Sequence, residues 1–318
     1  MTSVDLADLE VKEEEKETTA SLIRGVLAKL HKAGYPVAGF DMYVTSTVLP
    51  GSGLSSSAAC EVLTTGNHLF CQDKFDAVEI AKIGQAAENE YFGKPCGLMD
   101  QTASSVGDAV AIDFKDPANP IVRSINADLT GLGLALCIID CGADHAALTN
   151  EYASIPEEMC KVAAHFGKKV LREVKEEDLL ANLAQVRKEA GDRAVLRALH
   201  FYADDRRAAE EADALERKDK EAFLNLVKES GRSSWELLQN ITPAAAITHQ
   251  DMAVALAVAE KTLNGKGACR VHGGGFAGTI QAFVPVEDVC EFKKTMETML
   301  SEGCCHVLSI RPAGGLIL

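Results

Sequence analysis

The feature that most constrains the fold is a loop of glycines and serines between a predicted strand and a predicted helix. The loop lies in the segment VLPGSGLSSSAAC, residues 48–60. Residues 40–49 are rich in β-branched and aromatic side chains and predict a strand, whereas the residues after the loop have the apolar spacing of a helix. This pattern places the loop at the N-terminus of a helix.

A helix N-terminus attracts anions because its first backbone N–H groups lack intrahelical partners and the helix dipole is positive there. Gly51 and Gly53 would let a phosphate approach the main chain closely. The serines that follow would cap the helix or offer hydroxyl oxygens to phosphate or Mg²⁺. The loop alone leaves a second interpretation open, in which it is a serine-rich helix cap without a ligand.

Familiar phosphate- and ester-binding motifs do not fit the sequence. The loop has no lysine, so it is not a Walker loop, and Ser56 stands where a dinucleotide fingerprint needs its third glycine. The HRD and DFG motifs of protein kinases are absent. A glycine cluster at His272–Gly275 is similar to the oxyanion loop of some esterases, but no GxSxG elbow accompanies it.

The composition argues against several kinds of partner. The chain has 318 residues and a formal net charge of −15, which disfavours a general affinity for nucleic acid or acidic membranes. We expect no membrane span and no signal peptide, since no apolar stretch has the required length. The ten cysteines show no zinc spacing and are interpreted as reduced thiols of a cytoplasmic protein.

Predicted elements divide the chain near residue 130, into domains 1–130 and 131–318. The first domain carries the glycine–serine loop, predicted helices at 18–33 and 76–92, and short strand signals in AVAIDF and PIVRSI. The second opens with a strand at 132–140 and continues with a long helical stretch. It ends with three more strands around a last helix: ACRVHGGG, TIQAFVPV and HVLSIRPAG. This order predicts an α+β fold with a four-stranded sheet in the second domain.

Two carboxylates suggest a chemistry for the loop. Glu88 lies near the end of one predicted helix, and Asp100 follows the loop KPCGLM. Phosphoryl transfer needs Mg²⁺ to bridge the phosphates and a residue to orient the attacking hydroxyl. One carboxylate on the metal and one at the acceptor would meet both needs. Taken singly, however, Glu88 is better interpreted as an ordinary exposed helix residue and Asp100 as a helix cap.

Taken together, these features resemble the GHMP kinases, a family named for galactokinase, homoserine kinase, mevalonate kinase and phosphomevalonate kinase. Pro50–Ala58 resembles the second motif of the family, and Gly267–Gly278 resembles its third, glycine-rich motif. The resemblance implies two domains, an N-terminal α/β domain like that of ribosomal protein S5 and a C-terminal ferredoxin-like α+β domain.

Within that family the chain is similar to galactokinases. Cys96–Gln101 resembles the segment that carries their catalytic aspartate, and Glu88 stands at the spacing of their magnesium ligand. Asp144 and His145, followed by Tyr152, resemble the segment whose tyrosine approaches the sugar. The implied activity is the ATP-dependent phosphorylation of galactose at its anomeric hydroxyl, with ATP, galactose and Mg²⁺ as the small-molecule partners.

The resemblance also implies a role for each site residue. Asp100 would be catalytic, and Gly97, Asp100 and Tyr152 would bind the sugar. Ser56, Ser57 and Glu88 would hold Mg²⁺. The nucleotide would be bound by Gly51, Ser52, Gly53, Leu54, Ser55, Ser56, Ser57, Gly273, Gly274 and Gly275.

The sequence departs from the family at its first motif, which supplies an arginine near the transferring phosphate and polar groups for the sugar. No segment of the chain matches that motif. The first domain is therefore expected to be incomplete and the activity of this shortened chain to be weak. Two other functions stay open: a non-catalytic sensor that binds ATP or sugar, and a kinase for a related sugar such as N-acetylgalactosamine. The oligomeric state is left open.

Overall fold

The computed structural model describes residues 2–46, 54–65, 75–142 and 148–315. The chain forms two compact units. The first contains residues 1–114 and 119–126 together with the C-terminal segment from Ile310, and the second contains residues 115–118 and 127–309.

In its described residues, the first unit contains four α-helices and a two-stranded hairpin. Its elements are helices α1 (Thr19–Lys32), α2 (Ser56–Thr65), α3 (Ala77–Ala87) and α4 (Met99–Val106) and strands β1 (Ala109–Asp113) and β2 (Ile121–Ile125). Helix α3 packs against the other three helices. The structure confirms the helices predicted at 18–33, after the glycine–serine loop and at 76–92, and the strand signals in AVAIDF and PIVRSI.

Helix α3 is built from local signals that the sequence displays. Asp76 accepts a hydrogen bond from the backbone N–H of Glu79, and the Glu79 side chain accepts one from the N–H of Asp76, which completes a capping box. The helix continues into a single π-helical turn, Glu88–Phe92, which Gly93 ends in the left-handed conformation at φ 83°. A left-handed residue at this position is a common helix stop, and glycine adopts it without a Cβ clash.

The strand predicted at residues 40–49 is wrong for its described part. Residues 40–46 lie outside both sheets, and residues 47–49 lie outside the described structure. The Tyr43 side chain is 92% exposed. β-Branched and aromatic residues favour a pleated, half-buried surface, but a strand exists only where a neighbouring strand pairs with it.

The second unit carries a four-stranded antiparallel sheet in the order β4-β5-β3-β6. Its strands are β3 (Leu134–Asp140), β4 (Ala268–Val271), β5 (Thr279–Pro285) and β6 (Cys305–Leu308). On β5, Ile280, Ala282 and Val284 are buried in one cluster, as the two-residue period of a strand requires. This four-stranded sheet confirms the α+β prediction.

Helices cover the sheet and form a second, separate core. They are α5 (Thr149–His165), α6 (Glu176–Ala181), α7 (Leu183–Ala190), α8 (Asp192–Glu216), α9 (Lys220–Ser233), α10 (Asp251–Leu263) and α11 (Val289–Met299). Phe292 and Met296 of α11 are buried against the sheet, together with Leu256 of α10. Val162, Leu179 and other apolar residues of α5–α8 form a further buried cluster.

The C-terminal segment pairs with the connection between α4 and β1. The Asp108 N–H donates to the Arg311 carbonyl at 2.7 Å, and the Gly314 N–H donates to the Val106 carbonyl at 3.2 Å. The chain therefore leaves the first unit at β2 and returns to it after β6. None of the helices in the described ranges combines the length and apolar character needed to cross a membrane.

Candidate active site

Glu88 is the centre of a buried polar cluster in the first unit. It opens the π-helical turn after α3 and is only 3% exposed. One oxygen, Oε1, accepts a hydrogen bond from the Ser57 hydroxyl at 3.1 Å, and the other, Oε2, accepts one from Gln101 Nε2 at 2.8 Å. Single π-helical turns within α-helices are frequent at functional sites.

Gln101 joins Glu88 to a second buried acid. Its Nε2 also donates to Glu61 Oε2 at 3.1 Å, and both Glu61 and Gln101 are at most 1% exposed. Glu61 lies on α2 four residues after Ser57, so both side chains project from the same face of that helix. The cluster thus unites α2, the end of α3 and α4.

This cluster places two carboxyl groups together in a buried position, which changes the pKa of Glu61. Burial and the negative charge of Glu88 raise the pKa of the Glu61 carboxyl to about 8, and the charge of Asp100 adds to the effect. Glu61 and Glu88 thus lie as like charges around the same amide, that of Gln101. Two carboxylates brought together out of water call for a proton or a positive charge.

Asp100 and Gly97 lie at the surface beside this cluster. Asp100 is in the first turn of α4, directly before Gln101, and is exposed, as is Gly97. The loop before them is held to α3 at Cys96, whose carbonyl accepts from Gln85 Nε2 at 3.2 Å and whose N–H donates to Asn89 Oδ1 at 2.7 Å. These bonds fix the start of α4.

Cys96 also faces the cluster, but as a neutral thiol. Burial and the charge of Glu88 raise the pKa of the Cys96 thiol to about 12. A protonated thiol is a poor ligand for a hard cation. The oxygen atoms of Ser57 and Glu88 are therefore the suitable donors at this place.

The second unit holds the predicted glycine cluster in the loop between β4 and β5. Gly273 and Gly275 have positive φ angles of 68° and 85°, and the Gly273 and Gly274 residues are exposed. The Tyr152 hydroxyl donates to the Gly275 carbonyl at 2.7 Å. A Cβ on Gly274 would lie 2.7 Å from Tyr152 Cε1, so glycine is required for this ring to pack on the loop.

Some predicted residues can be placed and others cannot. Gly51, Ser52, Gly53, Asp144 and His145 lie outside the described residues. The remaining part of the first loop is described: Ser55 has a positive φ of 53°, and its carbonyl accepts the Ala59 N–H as α2 begins. Ser57 points to Glu88, as the bond given above requires, whereas Ser56 is exposed.

The donor set fits Mg²⁺. A carboxylate oxygen and a hydroxyl oxygen, 3.1 Å apart, are the kind of ligand this hard cation accepts beside phosphate oxygens and water. The shared negative charge of Glu61 and Glu88 favours a cation at the same place. No group of three or more His, Cys, Asp and Glu side chains with metal-binding geometry occurs within the part of the chain that the structure describes. Any Mg²⁺ here would draw its other ligands from hydroxyl, phosphate or water oxygens.

Sequence reasoning missed Glu61 and Gln101. The signal for Glu61 was its position four residues after Ser57 on a helix whose other inward residues, Ala58 and Val62, are apolar. A single acid on the buried side of a helix needs a partner. Gln101 gave no comparable signal, because a glutamine beside an exposed aspartate has the pattern of an ordinary helix start.

Comparisons with known proteins give the family. Residues 21–108 match the family model of the GHMP kinases N terminal domain. The galactokinase of Streptomyces coelicolor is 33% identical over 275 residues, which cover 86% of this chain and 68% of that protein. The chain belongs to the galactokinase family.

Further matches agree with this family. Human galactokinase is 36% identical over 266 residues, covering 81% of this chain and 62% of the human protein. The crystal structure of Lactococcus lactis galactokinase, complexed with galactose, has a TM-score of 0.76 at 24% identity and covers 98% of this chain and 79% of that one. A mevalonate kinase structure has a TM-score of 0.55 at 16% identity, covering 93% of this chain and 76% of that one. These structures establish the GHMP kinase fold.

Proposed function

We propose that this chain transfers the γ-phosphoryl group of ATP to the anomeric hydroxyl of galactose. Membership of the galactokinase family supports the reaction. The observation that carries the proposal is the bond between the Ser57 hydroxyl and Glu88 Oε1, because it joins the helix that follows the glycine–serine loop to a buried carboxylate. Phosphate loop and metal ligand then act at one place, as phosphoryl transfer requires.

Ser57 and Glu88 are the described residues that would hold Mg²⁺, together with Ser56 by its place on the same turn. When bound, Mg²⁺ neutralises charge on the phosphate oxygens. Gln101 binds Glu88 Oε2, so Oε1 and the Ser57 hydroxyl that bonds to it are the oxygen atoms proposed for the cation. The exposed carboxylate of Asp100 would accept a hydrogen bond from the attacking sugar hydroxyl and hold it in line. A loose transition state asks little base strength of this group.

The remaining predicted residues bind the two substrates. Residues 51–57 and the glycine loop Gly273–Gly275 would present backbone N–H groups to the phosphates of ATP. Ser55, Gly273 and Gly275 have positive φ, and such residues form N–H concavities that accept anions. Gly97 and Tyr152 would line the sugar. We place the reaction in the cytoplasm, where the free thiols of the described cysteines would stay reduced.

The test is a coupled assay of ADP release with and without galactose, on the wild-type chain, on Asp100→Ala and on the control Asp41→Ala. Asp41 is an exposed acid of the same unit. We expect galactose-dependent turnover that Asp100→Ala lowers at least ~100-fold and Asp41→Ala leaves unchanged. If N-acetylgalactosamine were the only sugar that supports ADP release, the chain would still be a sugar kinase, but its substrate would not be galactose. ATP binding without turnover on either sugar would favour the sensor and overturn the proposed reaction.

A further inference from the structure

We infer that Asn240 is a positioning residue for the nucleotide: it fixes the backbone of the glycine loop Gly273–Phe276 so that the loop N–H groups can face phosphate. The inference rests on the proposed role of this loop in binding ATP. It concerns a residue that lies 33 positions before the loop, at the end of the π-helical turn Ser234–Leu238. Asn240 is 2% exposed.

Asn240 binds the loop through both its side chain and its backbone. Its Nδ2 donates to the Gly274 carbonyl at 3.1 Å, and its own carbonyl accepts the Phe276 N–H at 2.5 Å. The approach is close enough that a Cβ on Gly275 would lie 2.1 Å from the Asn240 carbonyl oxygen. One residue therefore holds two consecutive peptide groups of the loop.

The direction of these bonds decides where the loop N–H groups point. In a trans peptide the C=O and the N–H point to opposite sides. Because Asn240 Nδ2 holds the Gly274 carbonyl, the N–H of Gly275 is turned away from Asn240. The next peptide is held at both ends, by the Tyr152 hydroxyl on the Gly275 carbonyl and by Asn240 on the Phe276 N–H. The N–H groups at the Gly273–Gly275 end stay available for an anion.

Stability alone does not explain an asparagine at this position. The Gly274 carbonyl needs a donor, so the amide nitrogen must face it, and the Oδ1 atom is then buried without a hydrogen-bond donor among the described residues. A buried acceptor left in this way costs stability. Buried polar groups with an unmet bond call for a further role, and here the role is the orientation of the loop.

The segment that carries Asn240 is itself held rigidly. The fully buried guanidinium of Arg197 donates through Nε to the Leu238 carbonyl at 3.1 Å. Gln239 then takes the left-handed conformation at φ 58°, which turns the chain into Asn240. The position of the glycine loop is thus set by the helices of the second unit, through α8, the π-helical turn and Asn240.

The experiment measures ADP binding by titration calorimetry, in buffer with Mg²⁺, for Asn240→Asp, Asn240→Ala and the control Ser230→Ala. Asp has the shape of Asn but presents an oxygen to the Gly274 carbonyl. Ser230 is a buried hydroxyl of the same unit that bonds Asp204 at 2.7 Å and makes no bond to the loop. We expect Asn240→Asp to weaken ADP binding about tenfold or more. Asn240→Ala should weaken ADP binding no more than Asn240→Asp does. The control Ser230→Ala should leave ADP binding unchanged. The KM for ATP rises in parallel, while the KM for galactose stays the same.

The order of the two Asn240 variants separates the inference from a structural role. If Asn240 only filled space, the isosteric Asp variant would bind like the wild type and the Ala variant would be the weaker one, which would overturn the inference. Should the Asp variant not fold, Tyr152→Phe tests the second bond to the loop, and unchanged ADP binding there would equally overturn it. A wild-type chain that binds no ADP would overturn the proposed function itself.

Discussion

Two acidic groups of this protein have opposite surroundings, one buried and one partly buried. In the first unit, Glu61 and Glu88 face each other across the neutral amide of Gln101. In the second, Glu158 receives Arg193 Nη2 at 2.6 Å and Arg197 Nη1 at 3.0 Å. The first arrangement brings like charges together, whereas the second pairs opposite ones.

The difference in surroundings also appears in the pKa values of the two groups. Burial and Glu88 raise the pKa of Glu61 to about 8. Burial acts in the same direction on Glu158, but the hydrogen bonds from Arg193 and the charge of Arg197 outweigh it and hold the pKa of Glu158 below its usual value. A like-charged pair costs stability until a cation arrives, which is typical of a binding site, while a neutralised pair belongs to the scaffold.

The largest effect that separates the two regions is expected from Glu88→Gln. The variant removes a proposed Mg²⁺ ligand and the repulsion with Glu61 at once. We expect galactose-dependent ADP release to fall more than ~100-fold, because even indirect metal contacts contribute 10–100-fold. In EDTA the unfolding temperature should rise, since one buried charge is gone.

The matched control for that variant is Glu90→Gln, on the same π-helical turn. Glu90 is exposed and pairs with Lys29 at 2.5 Å, so its loss should change stability by less than ~1 kcal/mol and leave turnover intact. Wild-type turnover in Glu88→Gln, or a lower unfolding temperature in EDTA, would contradict the assignment of Glu88 to a binding site.

The opposite outcome is expected from Glu158→Gln in the second unit. The change leaves the fully buried guanidinium of Arg197 without its carboxylate, which should destabilise the protein by about 3 kcal/mol. Turnover per folded molecule and both KM values should stay as in the wild type. Chemical unfolding measures the stability, and the coupled assay measures the turnover. A loss of turnover larger than the loss of folded protein would contradict a purely structural role for Glu158.

Elements of the fold that depend on local sequence patterns could be predicted. Helix α1, the strands of the four-stranded sheet and the stop at Gly93 follow from apolar spacing and from a glycine at a helix end. The capping box of Asp76 and Glu79 is a local pattern of the same kind, although it was not among the predictions. Glu88 was singled out by its resemblance to the magnesium ligand of galactokinases, and that role stays a prediction.

Tertiary contacts could not be predicted from local sequence patterns. No spacing indicates that Gln101 reaches back to Glu61, forty positions earlier, or that Asn240 reaches forward to Gly274. The strand predicted at 40–49 is wrong in its described residues, 40–46, for the same reason. These residues have strand composition, but strand pairing is decided elsewhere in the chain. Site geometry depends on such long-range contacts, and composition does not carry them.

The smallest effect is predicted for Glu211, a partly buried acid of the second unit, and it should appear at one pH only. Burial raises the pKa of Glu211 in the second unit to about 7, although the charges of Arg270 and Arg207 oppose this. The folded state therefore binds a proton more tightly than the unfolded state, so the stability that Glu211 contributes is full below about pH 4.5 and is lost as the pH rises to about 7. Glu211→Gln cannot lose a proton and should be more stable than the wild type at pH 8, by up to about 3 kcal/mol. At pH 4.5 the wild type and Glu211→Gln should have the same stability.

The control is Glu210→Gln, at the exposed neighbour on α8, which should have the stability of the wild type at both pH values. Denaturant unfolding at pH 4.5 and pH 8 measures the two differences. A stability gain that is equal at both pH values would show that the carboxyl of Glu211 does not titrate in this range, and would leave the pair of Glu61 and Glu88 as the acids whose surroundings oppose their charge.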